Sequence, residues 1–125
     1  MKKRILVVDD EPLLLDLLSH LLSAMGYDVE RANNSGEAAG KLKEQEYDLI
    51  FLDMKMPHVD GRALYSKVRE YFPRMAERIV FLTGDVANQE TLNFINGTGN
   101  LHLRKPFMMK EVKDLLEKFF QTVYK

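Results

Sequence analysis

Short apolar runs alternate along the chain with stretches whose apolar residues recur every three or four positions. Ile5-Leu6-Val7-Val8 is apolar at every position, the pattern of a strand buried on both faces. Pro12 suits the first turn of a helix, where its missing N–H would be unpaired anyway. Leu14, Leu17, Leu18, Leu21, Leu22 and Met25 then follow at helical spacing, up to a stop at Gly26. Residues 27–32 predict a weaker strand, Asn34 or Ser35 a helix cap, and residues 36–45 a second helix. A clear strand runs from Tyr47 to Leu52 and closes on Asp53, and residues 55–61, with Pro57 and Gly61, read as a loop. Leu64, Val68, Tyr71 and Phe72 mark a third helix closed by Pro73. A fourth strand is predicted over residues 78–83, and a helix with a thin apolar face over 88–96. A turn at Gly97 to Asn100 leads to a short fifth strand over 101–103. After Pro106, Val112, Leu115, Leu116 and Phe119 mark the last helix.

Five strands, each followed by a helix, require crossover connections. The predicted fold is therefore α/β, a doubly wound five-stranded parallel sheet with helices on both faces. The 125 residues are the usual size of one domain, so a single domain over residues 1–125 is expected, with no output domain in this chain.

Composition narrows the function classes. The formal net charge is -1, with 18 Lys and Arg against 19 Asp and Glu, so no direct nucleic-acid binding is expected. The absence of cysteine excludes disulfides, cysteine zinc sites, iron–sulfur clusters and thiol catalysis. The first apolar run is broken at once by Asp9-Asp10-Glu11, too early for a signal peptide or a membrane span. No membrane insertion and a cytoplasmic location are expected.

In an open parallel sheet, sites form outside the carboxyl ends of the strands. The first strand ends in Asp9-Asp10-Glu11, the third in Asp53 and the fourth in Thr83, and the fifth is followed by Lys105-Pro106. Taken singly, each is an ordinary helix cap or surface residue. Together they bring carboxylates, a hydroxyl and an ammonium to one edge. Crowded carboxylates call for a cation, and hard oxygen donors suit Mg²⁺. A lysine and a threonine beside them suit a phosphoryl group.

Val7-Val8-Asp9-Asp10-Glu11-Pro12, Leu52-Asp53-Met54-Lys55-Met56-Pro57 with Asp60-Gly61, Leu82-Thr83-Gly84 and Lys105-Pro106-Phe107 stand in order along the whole chain. In this the chain resembles the receiver domain of bacterial two-component response regulators, whose flavodoxin-like fold agrees with the reading above. The resemblance implies that Asp53 is the phosphoacceptor, attacking a phosphohistidine on a partner. It implies that Asp10, Asp53 and the main-chain carbonyl of Lys55 hold Mg²⁺, with Asp9 close by. Thr83 and Lys105 would each contact a phosphoryl oxygen, and the bond before Pro106 would be cis, aiming Lys105 inward. The small Gly84 would leave the phosphoryl site open.

The family usually carries Tyr or Phe three residues before the lysine, as a rotamer switch coupled to the threonine; here that position is His102. Lys55 and Asp85 occupy flanking positions that modulate phosphoryl lifetime in the family, and an ion pair between them across the mouth is expected to slow hydrolysis. The implied partners are a histidine kinase or histidine phosphotransfer domain, and then a downstream protein or the remainder of a hybrid kinase. Residues 81–85 and 97–100 resemble receivers of hybrid kinases in particular. The implied function is a switch that changes the face of the fourth helix, fifth strand and last helix, not an enzyme with a separate substrate. An aspartyl phosphohydrolase is the competing class, but it commonly needs an aspartate two residues after the nucleophile, where this chain has Lys55. A phosphorylation-independent interaction module is opposed by the retained Asp10, Asp53, Thr83 and Lys105. A flavin-binding module has only the topology in its favour.

Overall fold

The computed structural model describes residues 2–55, 61–84 and 88–123. Five parallel strands, β1 (Arg4–Val8), β2 (Asp28–Ala32), β3 (Leu49–Asp53), β4 (Ile79–Thr83) and β5 (His102–Arg104), form one sheet in the order β2-β1-β3-β4-β5. The order reverses direction beside β1, which is the switch point of a doubly wound sheet. Between the strands run the helices α1 (Pro12–Ala24), α2 (Ser35–Glu44), α3 (Gly61–Tyr71), α4 (Pro73–Ala76), α5 (Gln89–Thr98) and α6 (Met109–Val123).

Strand side chains alternate between two separate apolar layers. Ile5, Val7, Leu49, Phe51, Val80, Leu82 and Leu103 pack with Leu15, Leu18 and Leu22 of α1 and with Val112, Leu116 and Phe119 of α6. Leu6, Val8, Ile50, Leu52, Ile79 and Phe81 pack with residues of α2, α3, α4 and α5. Burial of the central strands on both faces explains why they read as unbroken apolar runs.

The predicted elements are present, with several differences. Tyr71, expected among the apolar markers of α3, is 68% exposed, and Gly61, expected at the end of a loop, opens α3. Leu17, expected on the core face of α1, is 62% exposed, and the buried stripe is Leu15, Leu18 and Leu22. Seven leucines in thirteen residues blur the helical period: Leu14, Leu17 and Leu21 repeat the i, i+3, i+7 spacing of Leu15, Leu18 and Leu22, and only packing selects the buried row. Pro73 closes α3 as expected, but its fixed φ also opens one further turn, α4, which seats Met75 and Ala76 in the core. Gly97 lies inside α5, and the turn falls on Gly99, which takes the left-handed conformation at φ 76. Asn34 is the cap of α2, its Oδ1 accepting from the Glu37 amide at 2.8 Å.

Candidate functional site

Strand register builds the site. Val8 lies beside Leu52, Leu52 beside Phe81 and Phe81 beside His102. One residue further on, Asp9 and Asp53 therefore stand level on adjacent strands, and Thr83 follows one step later. Lys105 comes directly after Arg104, the partner of Thr83, and its amide donates to the Thr83 carbonyl at 2.8 Å. Four polar residues that lie far apart in sequence thus converge because four short strands end together.

Asp9, Asp53 and Thr83 are all buried. The Lys105 ammonium lies 2.7 Å from Asp9 Oδ2, 3.4 Å from Asp53 Oδ1 and 3.7 Å from Glu11 Oε1. Asp9 Oδ1 accepts from the Glu11 amide at 3.0 Å, and Asp53 Oδ1 from the Lys55 amide at 3.3 Å. One ammonium does not offset this many carboxylates. Burial pushes the Asp53 carboxyl up to about 7, with the Asp9 charge adding to the rise, although Lys105 and the Lys55 amide favour ionisation. Burial likewise raises Asp9 despite its contact with Lys105. Burial alone would lower Lys105, but Asp9, Asp53 and Glu11 hold its ammonium above the ordinary lysine range.

Asp9, Asp10 and Asp53 can each present a carboxylate oxygen within 4.8 Å of the others. An all-oxygen set in which burial raises both Asp9 and Asp53 fits a hard divalent cation, which would relieve the repulsion. Beside it opens a cavity of about 150 Å³, lined by Asp53, Lys55, Thr83 and Gly84 and, from the helices, Arg62, Asn88 and Thr91. That is many times the roughly 10–15 Å³ that admits one water. A larger, shallow groove of about 820 Å³ between α6 and the turn that joins α1 to β2, with Tyr27, Leu116 and Phe120 in its wall, has no such carboxylate cluster.

Gly61 ties the first turn of α3 to the end of β3. Its amide donates to the Met54 carbonyl at 2.9 Å, and a Cβ there would come within 2.7 Å of the Asp53 carbonyl oxygen and 2.9 Å of Met54 Cα. Only glycine permits that approach. Gly84 has open space where a side chain would stand. The Lys105-Pro106 peptide bond is cis. His102 is exposed at the edge of the sheet. Pro57 and Asp85 lie outside the described residues, so the Lys55–Asp85 pair has no geometry here. Arg62, Asn88 and Thr91 were not singled out by sequence reasoning. They sit in the first turns of helices or at a cap, and only the placement of α3 and α5 brings them to the cavity.

A family description, response regulator receiver domain, matches residues 5–117. The chain is 39% identical over 127 residues to the transcriptional regulatory protein ResD of Bacillus subtilis, covering 97% of this chain and 51% of ResD. It is 35% identical over 123 residues to the sensor protein EvgS of Escherichia coli O157:H7, covering 98% of this chain and 10% of EvgS. The chain thus spans about half of one relative and a tenth of the other. Among solved structures it resembles the response regulator TrrA of Thermotoga maritima in complex with Mg(2+)-BeF, with a TM-score of 0.80 and 32% identity over 94% of this chain and 98% of that one. It also resembles the chemotaxis protein CheY4 of Vibrio cholerae, with a TM-score of 0.86 and 27% identity over 95% of this chain and 99% of that one.

Proposed function

The chain belongs to the response regulator receiver family, and from that premise we propose that Asp53 is the group on which it receives a phosphoryl group from a phosphohistidine. The observation that carries this is the convergence of Asp9, Asp10, Asp53, Thr83 and Lys105 on one sheet edge beside a cavity open to solvent. An Asp53 carboxylate oxygen attacks phosphorus in line. The P–N bond to the donor imidazole breaks, and the imidazole leaves with a proton from solvent. Lys105 and Thr83 meet the charge on the equatorial oxygens, and no acid–base side chain is required. Asp9, Asp10, Asp53 and the Lys55 carbonyl would hold Mg²⁺, which supplies charge neutralisation when bound. The chain thus assists its own phosphorylation and dephosphorylation and turns over no separate substrate. A cytoplasmic setting and a single domain over residues 1–125 complete the reading. Among the described residues, no helix is long and apolar enough to cross a membrane.

The donor is a histidine kinase or a histidine phosphotransfer domain. Leu13, 83% exposed on α1, and Met108 and Met109, 72% and 58% exposed at the start of α6, stand two or three residues after Asp10-Glu11 and Lys105-Pro106, and Leu17, 62% exposed, lies about one turn further along α1. Large apolar side chains at the mouth of a polar site suit a helical partner that delivers its histidine to Asp53. The face of α5, β5 and α6 is then read by a downstream protein or by the rest of a hybrid kinase.

The test is phosphorylation with acetyl phosphate and Mg²⁺, followed by intact mass. One phosphoryl adduct is expected in the wild type, and none in Asp53→Asn or in excess chelator. An adduct that persists in Asp53→Asn would overturn the assignment. Leu13→Asp should slow transfer from a phosphohistidine donor at least tenfold and leave loading from acetyl phosphate unchanged.

A further inference from the structure

We propose that Arg62 is a second cationic contact for the phosphoryl group, a role that rests on Asp53 being the phosphoacceptor. Arg62 is half-buried in the first turn of α3 and lines the same cavity as Asp53 and Thr83. Its guanidinium lies over the Phe94 ring of α5, 5.5 Å from the centroid. Among the described residues, no carboxylate pairs with it.

Three features make this more than a nearby surface arginine. The first is position. Gly61 is seated against the main chain of Asp53 and Met54, so the next residue begins at a fixed distance from the phosphoacceptor. The second is charge. With Asp9, Asp10 and Asp53 ionised, Lys105 and one divalent cation bring the formal sum to zero. Replacing the single charge of Asp53 by a phosphoryl group of about -1.5 to -2 leaves that set short of positive charge by about half to one unit. A guanidinium in the cavity wall supplies it. The third is preorganisation. The ring of Phe94 supports the guanidinium without neutralising it, leaving N–H groups free to donate to phosphoryl oxygens. Phe94 itself packs edge-on against Tyr65 and Phe81, at 5.7 Å from each. The platform is therefore fixed by the core rather than by solvent.

Lys105 and Arg62 divide the work. Lys105 contacts Asp9 and Asp53 before any phosphoryl group arrives, whereas Arg62 has no anion among the described residues until one does. Arg62 therefore discriminates the phosphorylated site from the free one. Its loss should weaken the phosphoryl complex and leave binding of the metal alone unchanged.

The experiment titrates beryllofluoride, a phosphoryl mimic, into the full chain at saturating Mg²⁺, following backbone amide shifts by NMR. Mg²⁺ is titrated alone in parallel. Arg62→Gln is expected to raise the half-saturating beryllofluoride concentration about tenfold, Arg62→Lys to recover part of the loss, and Phe94→Leu, which removes the platform but keeps the guanidinium, to fall between wild type and Arg62→Gln. The Mg²⁺ titration should be the same for all. Wild-type affinity in Arg62→Gln overturns the proposal. So does an equal loss in Phe94→Leu, which would make the arginine a structural partner of the ring. A wild type that takes neither beryllofluoride nor a phosphoryl group from acetyl phosphate would instead remove the assignment of Asp53 itself.

Discussion

The two ends of the sheet treat buried polar groups in opposite ways. At the amino ends, several polar groups have a complement. Asp48 Oδ2 accepts from the Arg4 amide at 2.7 Å, and Arg78 donates to the Tyr47 carbonyl at 2.9 Å. The buried Tyr47 hydroxyl lies between Glu30 and Gln45, which also bond each other. The Asn100 side chain donates to the carbonyls of Ala76 and Ile79 at 2.8 and 2.9 Å. At the carboxyl ends, Asp9 and Asp53 are buried together beside one lysine, and both carboxyls are raised. One end is arranged for stability. The other retains repulsion that a cation can relieve, the usual relation between a site and its scaffold.

Removing Lys105 should break this contrast most severely. Lys105→Met leaves Asp9 and Asp53 buried without a positive partner, and a loss of about 3–5 kcal/mol is expected at pH 8 by urea unfolding. Excess Mg²⁺ should restore part of it. A loss below about 1 kcal/mol without metal would show that the lysine is not balancing the pair.

Asp53→Asn should act in the other direction. The folded pKa of Asp53, about 7, lies above its ordinary 3.8, so the folded state favours the protonated form. The strain of ionisation is absent below about pH 4, grows as pH rises, and is complete above about pH 7. The variant should therefore be more stable than wild type at pH 8 by about 2–3 kcal/mol, under the linkage ceiling of about 4 kcal/mol. The gap should close near pH 4. A gap independent of pH would point to packing instead.

Gly61→Ala places a methyl group against the backbone of Asp53 and Met54, and backbone yields less readily than a flexible side chain. A cost of about 1–3 kcal/mol is expected, with slower loading from acetyl phosphate. Wild-type behaviour in both measurements would mean that α3 can shift freely. The smallest effect belongs to the amino end. Tyr47→Phe should cost about 1 kcal/mol for its hydrogen bonds. Burial pushes the Tyr47 hydroxyl up to about 12, so that cost should be flat between pH 5 and pH 8.5. A pH-dependent cost would blur the contrast between the two ends.

Much of this was legible along the chain, for physical reasons. Strands buried on both faces cannot hide their apolar runs, and a polar residue closing such a run stands out. Asp53 after Leu52 and Thr83 after Leu82 are of that kind. Lys105 was legible through the proline that follows it. The burial of α1 was less so, because a helix rich in leucine satisfies several faces at once; Leu13 and Leu17 emerged as surface only with the packing. Arg62 was silent for a different reason. An arginine in the first turn of a helix carries no local signal, and its meaning comes from the approach of Gly61 to β3 and of Phe94 from α5.

The strict alternation of side chains along the strands has one more consequence. Asp9 and Asp53 continue the row of Val7 and Phe51, on the side of α1 and α6, whereas Thr83 continues the row of Phe81, on the side of α3 and α5. The sheet is thus a partition with one opening, at its edge. A donor arriving over α1 works from one room, and a threonine and an arginine facing the other register the delivery. Mutations could then sort by room, deafening the chain to its donor or muting its message, with the folded partition standing in either case.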